Sequence, residues 1–134
     1  NGTLFIADEE AHAIRMVKDG LMETIAGFGA KVSQYDFKEF VFGFECLARI
    51  SEKMVVVSDK KNNVIFSAIK NETSYNLKPL IGSGMIGLKD GIGLESMLKG
   101  PTDLVFSSSN SAGITALMTL SIINLKILIR VNIF

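Results

Sequence analysis

Scarcity narrows the chemistry open to this chain of 134 residues before any pattern is sought. One cysteine, Cys46, cannot close a disulfide within the chain, which excludes a scaffold stapled by several bridges while leaving an extracellular address open. Cys46 lies in an apolar stretch, where a buried and inert thiol is expected. One histidine, His12, leaves a general base or a metal site without the partners it would need. An excess of charge of one sign is also missing. Lysine and arginine total 14 and aspartate and glutamate total 14, so no net field draws the chain to nucleic acid or to an anionic membrane. There is no Gly-Lys-Ser/Thr phosphate loop, no Ser-His-Asp set at a credible spacing and no Cys/His cluster. The expectation is therefore of a non-catalytic chain with no catalytic, cofactor-binding or metal-ligating residues and no cofactor. The length suits one ordinary domain or a piece of a larger one. With no methionine at its start and no basic-then-apolar leader, the chain is expected to begin inside a longer polypeptide or after processing.

What is present is a repeat. Leu4-Phe5-Ile6-Ala7-Asp8, a polar turn through His12, and Ala13-Ile14-Arg15 return as Met54-Val55-Val56-Val57-Ser58-Asp59, a polar turn through Asn63, and Val64-Ile65-Phe66. The two aspartates stand 51 positions apart. Apolar residues running into Asp, four turn-forming residues and a second apolar stretch describe a strand, a tight turn and a returning strand. The same reasoning predicts strands over Leu4–Ala7, Ala13–Val17, Met22–Ala26, Glu45–Ile50, Met54–Ser58, Val64–Ile69 and Leu77–Ile81. Pro79 restricts the last of these to a sheet edge. A Gly-rich turn from Gly82 leads into one short helical turn over Leu94–Leu98 and then into Gly100-Pro101-Thr102-Asp103-Leu104. Gly43 superposes on Gly100 with Leu47 on Leu104, so the unit is about four short strands, in the size range of propeller blades at roughly 40–50 residues.

Ile6-Ala7-Asp8 through His12-Ala13-Ile14-Arg15, Thr24-Ile25-Ala26-Gly27, and Asp90-Gly91 through Gly100-Pro101-Thr102 together resemble the NHL-repeat β-propeller family over Leu4 to Ser109. Ala11 stands where that pattern has Asn, and Phe66 where it has Arg. The resemblance implies an all-β incomplete propeller arc of four-stranded antiparallel blades over residues 1–110, with one complete blade at about 45–81 and partial blades on either side. A ring of six blades would need roughly 270 residues, so further blades are expected in the full-length protein and poor stability in the arc alone. The family implies an interaction scaffold that binds a protein partner through its loops, in some members RNA, and in others a fused catalytic domain. Neutral charge disfavours nucleic acid here. The alternative is part of a propeller enzyme, of the metal-dependent lyase or lactonase kind, with its catalytic residues mainly in missing blades. No residue is singled out for binding.

Residues 111–134 break the pattern. Ala116 stands where a third aspartate would fall, and Ile114 to Phe134 is mostly Ile, Leu and Met. A degenerate blade or docking helix, a membrane span interrupted by Asn124, Lys126, Arg130 and Asn132, and an out-of-frame sequence are the alternatives. The last is suggested by aspartate appearing in a shifted frame across Met118-Thr119. Membrane contact is left to this segment alone.

Four further features have bland explanations. Gly82-Ser83-Gly84-Met85-Ile86-Gly87, with Asp103 twenty-one positions beyond Gly82, has the letters of a dinucleotide site, but the glycines continue past Gly87 and a helix would not start there. Positive φ angles in a long loop are expected instead. Asp8 and Asp59 recur at equivalent turns and are expected to accept backbone N–H bonds. His12, replaced by Asn63 in the second copy, is expected to serve a turn or a packing hydrogen bond. Phe37, Phe40, Phe42 and Phe44 are expected between sheets rather than on a binding surface.

Overall fold

Each apolar run of the repeat is a strand, and each strand ends where turn-forming residues begin. The computed structural model describes residues 2–27, 42–104, 106–108, 114–120 and 125–131. Sheet I is a meander of β1 (Leu4–Asp8), β2 (Ala13–Lys18) and β3 (Leu21–Gly27). Sheet II orders β4 (Phe44–Arg49), β5 (Met54–Asp59), β6 (Val64–Lys70) and β7 (Tyr75–Ile81). Sheet III pairs β8 (Phe106–Ser108), β9 (Ile114–Leu120) and β10 (Leu125–Val131). Among the described residues the paired strands are antiparallel and no α-helix is present, so the described fold is all-β. The expected helical turn is a 3-10 turn at Gly93–Glu95.

The repeat holds down to register. Asp8 pairs with Ala13 and Leu4 with Val17 in sheet I; Asp59 pairs with Val64 and Val55 with Ala68 in sheet II. Both sheets carry a bulge at the same place, between Ile14 and Arg15 in the first and between Ile65 and Phe66 in the second. A bulge bends its strand and sharpens the twist, so its recurrence gives the outer strands of both sheets the same course. Pro79 lies on β7, the outermost strand of sheet II, the edge position that a residue without an N–H tolerates.

Sheets I and II stack face to face, β1 against β4 and β3 against β7. Ile14, Ile25 and Ala26 meet Phe44, Val57, Phe66, Ala68 and Leu77 in the core between them, with Phe42 at its end. Phe42 and Phe44 are fully buried and stack at 4.6 Å, and Phe66 meets both edge-on. Burying each such ring contributes about 1.5–3 kcal/mol. On its other face sheet II packs Val56, Ile65 and Ile81 against Leu98 and Leu104. Burial on both faces is the reason Val55-Val56-Val57 shows no polar alternation.

The C-terminal apolar segment is strand over 114–120 and 125–131. Among the described residues no helix is long and apolar enough to cross a membrane. Phe37, Phe40 and the loop before them lie outside the described residues.

Candidate functional site

The recurring turn is built identically in both copies. Asp8 Oδ1 accepts the Ala11 N–H at 3.2 Å and Asp59 Oδ1 accepts the Asn62 N–H at 2.9 Å, so each carboxylate closes the turn that follows its strand. His12 and Asn63, at equivalent positions, sit in the left-handed region with φ of 52° and 56°. Histidine and asparagine tolerate that region better than most residues. Each reaches forward along the chain: the His12 ring Nδ1 bonds the Phe42 carbonyl, and Asn63 Oδ1 accepts the Gly100 N–H at 2.8 Å. Turn and latch thus hold the start of the next repeat against the present one.

Glycine completes the device. Gly27 and Gly82 close β3 and β7 with φ of 87° and 93°. A Cβ on Gly27 would stand 2.3 Å from the His12 carbonyl oxygen, and one on Gly82 would stand 2.5 Å from that of Asn63. The outer strand must pass this close to the left-handed residue, and no side chain fits between them.

The aspartates differ in surroundings. Asp59 is fully buried, and its Oδ1 also accepts the Gly43 N–H at 3.1 Å while Oδ2 takes the Asn62 amide at 2.7 Å. Asp8 keeps about a third of its side chain exposed and pairs with Arg15 at 3.2 Å, the guanidinium also donating to Thr24 Oγ1 at 2.7 Å. Phe66, which stands where Arg15 does in the first copy, fills that space in sheet II with core. Both aspartates act on the backbone as anticipated.

Cys46 is partly rather than fully buried, and its thiol donates to Asp103 Oδ1 at 3.3 Å. Burial pushes its pKa up, and the Asp103 carboxylate adds to that, so the thiolate is disfavoured. Asp103 also caps its own neighbour, taking the Leu104 N–H at 2.8 Å. No helix starts at Gly84, and the Gly-rich segment instead uses positive φ at Gly82, Gly84 and Gly93. Among the described residues no three His, Cys, Asp or Glu side chains converge as metal ligands would.

The surface best suited to recognition is the loop from Gly82 to Leu98. Buried Ser96 closes it: the hydroxyl donates to the Gly93 carbonyl at 2.7 Å and accepts the Gly82 N–H at 3.1 Å. Backbone bonds from Ser83 to Ser96 and between Lys89 and Met97 complete the closure. From this tied frame Met85, Ile86, Leu88, Ile92 and Leu94 project to solvent, Ile92 at 87% exposure. Five large apolar side chains held outward on a fixed backbone cannot collapse inward as they would on a slack loop. A concavity of about 630 Å³ opens between the rims of sheets I and II, lined by Met16, Lys18, Glu23, Lys70, Glu72 and Tyr75 among others. Glycines at 84, 87, 91 and 93 interrupt any strand or helix that Met85, Ile86, Leu88, Ile92 and Leu94 could form, and the signal these residues carry in the sequence is an apolar excess inside a glycine-rich turn. Comparison with family models, with curated proteins and with solved structures gave no match to this chain.

Proposed function

We propose that the chain is an arc of an NHL-type β-propeller acting as a non-catalytic scaffold that binds a protein partner through the Gly82–Leu98 loop. Supporting the propeller arc are the shared register, the recurring bulge, the paired turn devices and the face-to-face stacking of sheets I and II. The observation that carries the binding role is the row of exposed apolar residues on a hydrogen-bonded loop. Each of these side chains would contribute about 1.5–3 kcal/mol on full burial, which suits them to the apolar centre of an interface. The zero net charge favours an apolar contact with protein over an electrostatic one with nucleic acid. Further blades would cover the remaining apolar sheet surface.

The test pairs Leu88→Asp with Ile92→Asp in the full-length product. Because both side chains are exposed, unfolding midpoints should stay unchanged while specific partner capture is lost. Retention of the same partners by the double variant would refute the loop assignment, and turnover abolished by chelation would replace the scaffold with an enzyme.

A further inference from the structure

Sheets I and II part company at one turn. In sheet I, Lys18 pairs with Leu21, and Asp19-Gly20 turn between them in the left-handed region at φ of 50° and 81°. In sheet II, Lys70 pairs with Tyr75, and the turn between β6 and β7 holds four residues, Asn71-Glu72-Thr73-Ser74, none of them left-handed. This longer turn carries the triplet Asn-x-Thr, with glutamate rather than proline at its centre. We infer that Asn71 is an acceptor for an asparagine-linked glycan, attached as the chain passes through a secretory compartment.

The surroundings of the triplet suit that chemistry. Asn71, Glu72 and Thr73 are all exposed. The Asn71 N–H donates to the Ser74 carbonyl at 2.7 Å, so main chain closes the turn. Among the described residues neither the Asn71 amide group nor the Thr73 hydroxyl is drawn into a hydrogen bond, and both are presented outward. Asn62 and Asn63 are spent on the Asp59 turn and the Gly100 latch, and neither they nor Asn76 have a hydroxyl residue two positions on. In the transfer, Asn71 Nδ2 bonds to C1 of a sugar carried on a lipid pyrophosphate. The C1–O bond to the pyrophosphate breaks, the amide nitrogen gives up one proton to a base of the transferase, and the lipid pyrophosphate leaves. The one thiol, Cys46, is partly buried and bonded to Asp103, which suits passage through an oxidising lumen. A glycan on an exposed turn adds bulk and hydration without disturbing a buried contact. Asn71 and the Gly82–Leu98 loop stand at opposite ends of β7, about 20 Å apart along the strand, so the inference is independent of the loop reading and leaves that loop free. Lys70, Glu72, Thr73 and Ser74 line the concavity between the rims, and the glycan makes that rim a solvent face rather than a partner surface.

The experiment begins with the full-length product isolated from the cells that make it. Enzymatic release of asparagine-linked glycans in heavy-oxygen water converts each occupied asparagine to a labelled aspartate, which peptide mass spectrometry locates residue by residue. This resolution is needed because Asn1-Gly2-Thr3 has the same spelling. The label should appear at Asn71. Expressed in the same cells, Asn71→Gln and Thr73→Val should each lose the glycan at this turn, while Thr73→Ser, which keeps the hydroxyl, should retain it. After glycan release from the parent, its urea midpoint and that of Asn71→Gln should coincide, since the side chain makes no buried contact. An unlabelled Asn71, label at Asn1 alone, or a glycan on Asn71 that survives Thr73→Val would each overturn the inference.

Discussion

Removing the Asp59 carboxylate tests whether the turn device holds sheet II together. Asp59→Ala strands two backbone N–H groups, those of Gly43 and Asn62, inside a site that is 0% exposed. Each buried donor left without an acceptor costs about 1–3 kcal/mol, partly offset because a buried carboxylate no longer needs to be desolvated. The net loss should be about 2–4 kcal/mol. Asp59→Asn keeps an oxygen for both N–H groups and gives up only the contact at 2.7 Å with the Asn62 amide, for a cost of about 1 kcal/mol. Asp8→Ala is the internal control. It removes one turn bond and a partly exposed ion pair, and should cost about 0.5–1 kcal/mol. Urea unfolding of the three variants gives the differences as shifts in midpoint at constant slope. Equal losses for Asp59→Ala and Asp8→Ala would refute the assignment of the difference to burial. Equal losses for Asp59→Asn and Asp59→Ala would show that negative charge, not an acceptor oxygen, is what the site requires.

Gly82→Ala, with a contact at 2.5 Å to the Asn63 carbonyl and a positive φ, should destabilise by more than about 2 kcal/mol, whereas Gly20→Ala, in open space at φ 81°, should cost only the conformational term of about 1 kcal/mol; thermal melts compare them. Asn63→Gly keeps the left-handed backbone and loses only the bond to Gly100, so it should be milder than Asn63→Ala by about 1 kcal/mol in urea midpoints. Because burial and Asp103 raise the Cys46 pKa, the unfolded chain releases this proton at lower pH than the folded chain does. Its contribution to stability is therefore intact below the ordinary thiol pKa of about 8.5 and is lost as pH climbs through the raised folded value. Denaturation midpoints should fall across that alkaline range, Cys46→Ala should flatten the fall, and alkylation at pH 8 should be slower in the folded chain than in urea.

Strand positions and the Asp-closed turns were legible from residue order alone, because each depends on contacts within a few positions of chain; the left-handed backbone at His12 and Asn63 came only with the structure. The offset between the copies could be counted directly, and the structure repeats it in register and bulge. Cys46 was less buried than its apolar setting implied, since Asp103, fifty-seven positions away, decides what lies over the thiol. The Ser96 clasp was invisible for the same reason: one serine in a polar loop looks like any other until the fold brings Gly82 to it.

Local chemistry determined where this chain extends and where it turns, for alternation, glycine and short polar side chains act over single hydrogen bonds. Only the stacked sheets decided which apolar residues became core. Val55 and Leu4 hold equivalent places in the repeat, yet one is sealed and the other is 60% exposed. Burial belongs to whatever lies across a face or along an edge, and neither strand specifies its neighbour.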